Sequence, residues 1–259
     1  MSLTTLAPMP VTSPLPAALE GRAVVVVGGS SGIGLAAGAL LASVGARVTL
    51  VARDQHRLTA AVDRIRTTGG TVLGITGDGS DEGDLERILD QGGSLDHILV
   101  TAGGFGVGAL LDTPREQVRE AVDGRIWGAY AVARAAARRL PAGGSITFSS
   151  GLYLTRPIPG AAAAIASIGA VEGLTKALAV ELAPRRLRAN AIRYGVVDTP
   201  LARGALGLAD DAAVTAAGQG APLGRFATAE EAASAALFLM ANPYVTGSVV
   251  TVDGGQSLV

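Results

Sequence analysis

Short, purely apolar runs alternate along this chain with longer stretches whose apolar positions recur every three or four residues. Residues 22–28 (RAVVVVG), 47–52 (RVTLVA), 71–76, 97–101, 145–149, 188–193 and 248–252 are of the first kind. Continuous valine-, isoleucine- and leucine-rich runs of this length predict parallel strands buried on both faces. Between them, helical spacing covers 32–44, 54–67, 81–91, 114–140, 161–182 and 228–240. Strands that alternate one by one with helices predict an α/β fold, a single-domain Rossmann-type doubly wound parallel sheet of about seven strands with helices on both faces. No repeat or linker divides the pattern, so residues 21–259 read as one dinucleotide-binding domain. Residues 1–20 read as a flexible leader: the segment has no basic stretch ahead of an apolar one, as a signal peptide would. Residues 198–227 have weak helical content and are long for a connector, which predicts a substrate lid.

Composition narrows the function classes. The 259 residues are 49% hydrophobic and carry a formal net charge of −1, with the basic residues dispersed. That balance gives no electrostatic footprint for nucleic acid or an anionic membrane surface. No apolar run approaches the twenty residues of a membrane span. There is no cysteine, which excludes disulfides and thiolate metal sites, and a cytoplasmic location is expected. The two histidines, His56 and His97, are too few and too separated for a metal cluster, so no metal is expected. The expected partner is a small-molecule substrate.

Candidate chemistry begins at residues 27–34 (VGGSSGIG), between the first strand and the first helix. Glycines there let backbone approach a pyrophosphate whose charge faces the helix N-terminus. Gly28, Ser30, Ser31, Gly32, Ile33 and Gly34 are therefore candidate cofactor contacts. At the end of the second strand an NAD site would carry a carboxylate for the ribose hydroxyl, and an NADP site a cation for the 2′-phosphate. The sequence has Ala52 and Arg53 there, which favours NADP(H); the plainer reading of Arg53 is a solvated strand end. Asp54 is one position too far along and caps the next helix instead.

These residues, with others downstream, resemble the short-chain dehydrogenase/reductase family over residues 21–255. The family's spaced glycines match Gly28, Gly32 and Gly34, and its adenine-contacting aspartate matches Asp78, followed by Gly79. Asn190-Ala191, residues 197–200 (VDTP) and the ending Asp253-Gly254-Gly255 also match. The resemblance implies that Val197 and Thr199 contact the nicotinamide carboxamide and the pyrophosphate, and that Ala102 and Gly103 lie against the cofactor. It also implies a homo-oligomer, a tetramer. The departures cluster. Thr101-Ala102-Gly103-Gly104 stands where the family has Asn-Asn-Ala-Gly, Arg125 replaces a helix asparagine, and Tyr194 replaces a proline. Ala164 and Ile168 stand at the positions of the catalytic tyrosine and lysine. Ser150, or Ser149, is the remaining serine, with one residue more than the family's spacing to position 164.

A tyrosine acid of this kind contributes about 10²–10⁴-fold. The resemblance extends to atypical ketoreductases of angucycline antibiotic pathways, which implies reduction of an aromatic polyketide-type ketone activated by its own hydroxyl. Tyr153 and Tyr194 are each either a replacement acid or an aromatic pocket wall. Arg125 either restores the lost cation or pairs structurally with Asp123 or a more distant acid. Trp127 and Tyr130 are core or oligomer interface. Two other functions compete with the NADPH-dependent ketoreductase: a non-redox cyclase, dehydratase or isomerase, and a catalytically silent NADP(H)-binding regulator.

Overall fold

A computed structural model describes residues 17–103 and 108–259. The expected leader thus lies almost wholly outside the described residues, as does Gly104. The strands are β1 (Ala23–Val27), β2 (Arg47–Ala52), β3 (Val72–Thr76), β4 (His97–Val100), β5 (Ser145–Gly151), β6 (Arg188–Tyr194) and β7 (Val249–Val252). The helices are α1 (Gly32–Ser43), α2 (Gln55–Arg66), α3 (Glu82–Gly92), α4 (Arg115–Arg139), α5 (Ala162–Glu181), α6 (Pro200–Leu206), α7 (Asp211–Gly218) and α8 (Ala229–Ala241). All seven strands are parallel, in the order β3-β2-β1-β4-β5-β6-β7. The order reverses between β1 and β4, and the crevice outside the carboxyl ends of the strands at such a reversal is where ligands bind in open α/β sheets.

Strand alternation sends successive side chains to opposite layers. Val24, Val26, Leu99 and Ile192 pack with α1, α2 and α8, while Val25, Val27, Ile98, Phe148 and Ala191 pack with α3, α4 and α5. Burial on both faces explains why the strands read as unbroken apolar runs. Helix α5 is the one described helix long and apolar enough to span a membrane by composition, but its Val171 and Leu178 are part of the core.

Two polar side chains fix β6, the strand that ends at the crevice. Buried Arg188 donates to the carbonyls of Leu239 (2.6 Å), Met240 (2.7 Å) and Val245 (3.1 Å), which satisfies the C-terminus of α8. Asn190 donates to Val245 O and accepts from Ser248 N, holding the turn into β7. Both residues are structural.

The structure differs from expectation in three places. Strand β5 runs two residues further, to Gly151, and β6 one further, to Tyr194. The added pairs Ser150↔Arg193 and Gly151↔Tyr194 bring candidate site residues into the sheet. Residues 198–227 hold two capped helices: Thr199 accepts from Ala202 N to start α6, Gly207 (φ +65°) ends it, and Asp210 accepts from Ala213 N to start α7. Their alanine- and glycine-rich sequences lack an apolar stripe, so periodicity under-reads them. Finally, of the two readings of Trp127 and Tyr130, core or oligomer interface, the core one falls. They are exposed on α4, ring edge to ring face with centroids 6.4 Å apart.

Candidate active site

The turn after β1 is built so tightly that only glycine fits. Gly28 has φ +90°, and a Cβ there would lie 2.7 Å from both Ala102 N and Thr101 Oγ1. One at Gly34 would run into Gly28 O, well inside contact distance. Gly32 has φ +51°, and the Thr199 side chain stands 3.2 Å from where its Cβ would be. Thr101 Oγ1 donates to Val27 O (3.0 Å), bracing the turn from β4. Ser31, at the N-cap of α1, makes no side-chain capping bond, so its hydroxyl does not occupy the amides of the first turn. This cradle fits a dinucleotide pyrophosphate.

Around the turn the other cofactor candidates converge. A Cβ on Gly79 would strike Val27, which places Gly79 directly against the end of β1. Asp78 accepts from Ser80 Oγ (2.6 Å) and Ser80 N (2.9 Å), and these bonds, the side-chain one foremost, hold its carboxyl below the usual range. Arg53 is exposed at the end of β2 and adds to that lowering through its charge, so it stands on the Asp78 side of the cradle. Asp54 caps α2 through Arg57 N (3.0 Å), as its position in the sequence implies.

Next to the cradle, over the carboxyl ends of β5 and β6, lies a cavity of about 160 Å³. Ile33, Thr101, Gly103, Val197 and Thr199 line its cofactor side. Ser149, Ser150, Tyr153, Tyr194 and Arg125 line it with Ala164 and Ile168, and Leu201, Ala202 and Leu206 of α6 close it from above. The structure thus brings all four candidate catalytic residues to one cavity. Ala164 and Ile168, both buried, present only hydrocarbon to it.

The serines differ. Ser150 donates its hydroxyl to Glu172 Oε1 at 2.6 Å. Glu172, a buried carboxylate on α5, also takes Arg193 Nε on Oε1 (2.9 Å) and the terminal nitrogen of Arg193 on Oε2 (2.7 Å). The Arg193 guanidinium is raised above its usual range by this bond. The hydroxyls of Ser149 and Tyr194, in contrast, are buried with no hydrogen-bond partner among the described residues. Burial pushes the Tyr194 phenol well above its usual range, so it stays protonated.

Arg125 lies flat along the chain at Gly103, where a Cβ would meet its guanidinium at 2.8–3.2 Å, and burial lowers its pKa. Asp123, one acid the sequence left open to Arg125, is taken by Arg119 at 3.1 Å; residues two apart on a helix point to different sides. The segment 198–227 leaves and returns at one point, the Val197↔Ala227 bridge, with Asp198 N donating to Ala227 O. Arg203 ties its helices together through Asp198 (2.6 and 2.8 Å) and Asp211 (2.8 Å).

Sequence reasoning missed Glu172, Arg193 and the role of Thr101. A signal for the first two existed: a lone carboxylate in the apolar run of α5, and an arginine at an inward position of β6.

A parallel sheet with this reversal and this glycine cradle defines a dinucleotide-binding oxidoreductase architecture. Comparison with known proteins agrees. Residues 27–257 match the enoyl-(acyl carrier protein) reductase family model. Carbonyl reductase family member 4 of Danio rerio is 33% identical over 242 residues, 92% of this chain and 98% of the relative. A short-chain dehydrogenase/reductase of Stachybotrys chlorohalonatus is 31% identical over 252 residues, 93% and 98% of the two chains. The solved structure of a reductase/Diels-Alderase from Malbranchea aurantiaca superposes with a TM-score of 0.86 at 29% identity, covering 94% and 99%. The chain belongs to the short-chain dehydrogenase/reductase family.

Proposed function

We propose that this protein is an NADPH-dependent ketoreductase acting on an aromatic polyketide-type ketone that carries its own activating hydroxyl. The observation that carries this reading is that one cavity joins the cofactor-side residues Ile33, Thr101 and Thr199 to Ala164 and Ile168, hydrocarbon side chains that the resemblance aligns with the family's acid and its cation. When bound, the cofactor supplies a hydride, and a hydroxyl hydrogen-bonded to the substrate's own carbonyl stands in for the missing tyrosine. Gly28, Gly32 and Gly34 would admit the pyrophosphate, Asp78 and Gly79 the adenosine, Arg53 the 2′-phosphate, and Val197, Thr199, Ala102 and Gly103 the nicotinamide half. The chain itself holds the ketone. Positioning of this kind contributes roughly 7–11 kcal/mol to a barrier without any acid. Arg125 adds a cation to the wall, Tyr153 and Tyr194 form aromatic sides, and residues 198–227 act as the lid that excludes water. The test is NADPH oxidation, followed at the nicotinamide absorbance band, with a tetralone bearing a hydroxyl peri to the ketone and with its methoxy counterpart. Only the hydroxylated ketone is expected to react; absence of oxidation with both overturns the reading.

A second reading, a non-redox rearrangement, is favoured by the Malbranchea neighbour, whose name pairs reduction with a Diels-Alder reaction. A hydrocarbon-walled cavity that only positions its ligand suits that chemistry too. It predicts substrate conversion without NADPH oxidation.

The exposed Trp127–Tyr130 pair on α4 and the exposed Val180 on α5 support a homo-oligomer, proposed as a tetramer by family likeness.

A further inference from the structure

Adjacent serines on β5 present opposite hydrogen-bonding polarity to one cavity. Glu172 accepts from the Arg193 guanidinium through both carboxylate oxygens (2.9 and 2.7 Å). A carboxylate held in that way is an acceptor, so the hydrogen in the 2.6 Å contact with Ser150 is the serine's. What Ser150 turns to the cavity is its lone pairs. Ser149 and Tyr194 are the reverse: their hydroxyls are buried and, among the described residues, unpartnered. Tyr194 as a whole is 6% exposed. Strand register produces the split. Ser150 sits opposite Arg193 on the α5 side of the sheet, whereas alternation turns Ser149 and Tyr194 to the other side. The cavity caps the strand ends and touches both sets.

We propose, resting on the ketoreductase reading, that the site is built for a hydroxyketone. A hydroxyl remote from the reacting carbonyl donates to Ser150 Oγ. Ser150 sets specificity, and Glu172 is the positioning residue that fixes which way its hydrogen points. A ketone without that hydroxyl leaves a buried acceptor unmatched, and sites built around a hydrogen bond reject analogues that lack it.

The experiment is calorimetric binding of tetralones to the full chain with NADP⁺ present, which keeps reduction out of the readout. The set carries a hydroxyl, a methoxy group or hydrogen at each ring carbon remote from the ketone. Wild type is expected to bind at least one hydroxytetralone about tenfold or more tighter than both its methoxy and unsubstituted partners. Ser150→Ala levels that difference. The double variant Glu172→Leu/Arg193→Met removes the acceptor without stranding a charge, frees the serine's own hydrogen to turn into the cavity and shifts the preference toward the methoxy compound. A merely structural role for Glu172 would not reverse a preference. Should the double variant fail to fold, Ser150→Ala decides alone. Equal binding within every set in wild type, or a preference that survives in Ser150→Ala, overturns the proposal. Discrimination by the hydroxyl without NADPH oxidation by any tetralone would instead sink the reduction reading and leave the hydroxyl site standing.

Discussion

Ser150 and Glu172, twenty-two residues apart in sequence, meet at 2.6 Å beneath the cavity, and Arg193 closes the network from the neighbouring strand. Their side chains are largely buried, at 8% exposure for Glu172 and 19% for Arg193. Breaking such a pair from one side strands the other charge in a poorly solvated place. Glu172→Leu is expected to cost about 3–5 kcal/mol in urea unfolding, and the double variant Glu172→Leu/Arg193→Met to recover most of it. Additive losses in the double variant would mean that the two residues act independently.

The cofactor turn makes a steric prediction. Gly34→Ala puts a methyl group into Gly28 O and Thr101 Oγ1, and the backbone must move to accept it. A loss of roughly 1–3 kcal/mol in stability is expected, together with loss of dinucleotide binding by calorimetry. Unchanged binding in Gly34→Ala would show that the turn is looser than its contacts imply.

On the proposed function, cofactor choice rests on Arg53. Arg53→Ala is expected to weaken NADPH roughly tenfold to a hundredfold, the ordinary range for a hydrogen bond to a charged group, and to leave NADH unaffected. Equal affinities for the two cofactors in wild type contradict the assignment.

A pH dependence follows from His97. Its ring is buried at the start of β4, with Nδ1 2.8 Å from Ser145 Oγ. Desolvation first, then the charge of Arg188, lowers its pKa to about 3 from 6.5. The folded state therefore holds the neutral ring, while the unfolded chain takes up a proton below pH about 6.5. The stabilisation is fully present above that pH and is lost as pH falls toward 3, at about 1.4 kcal/mol per pH unit for one proton. Comparing urea midpoints of wild type and His97→Asn between these limits isolates this contribution. Parallel pH curves for the two proteins would show that the ring does not titrate differently on folding.

How much of this was legible in the sequence depended on the kind of force involved. The strands and the six longer helices follow from burial on one or both sides, and burial leaves a periodic trace that RAVVVVG and its counterparts display openly. Ser31, Gly32 and Gly34 were legible because phosphate-binding turns need glycine for steric reasons. The polarity of the pocket was not. Whether Ser150 gives its hydrogen to a ligand or to Glu172 depends on a contact between β5 and α5 that no local pattern encodes. Nor did α6 and α7 show, since capping by Thr199 and Asp210 defines them more than any apolar face does.

The central claim is that ketone reduction here proceeds with no tyrosine acid from the chain. It is tested most directly by kcat/KM with NADPH and the peri-hydroxylated tetralone, measured for wild type, Tyr194→Phe, Tyr153→Phe and the restored variant Ala164→Tyr/Ile168→Lys. The account predicts that both phenylalanine variants keep activity within about tenfold, since no phenol is the acid. It also predicts that the restored pair gains nothing, because a phenol at 164 fills space the ligand needs. A collapse of about 10²-fold or more in either phenylalanine variant, or a comparable gain in the restored enzyme, would contradict it.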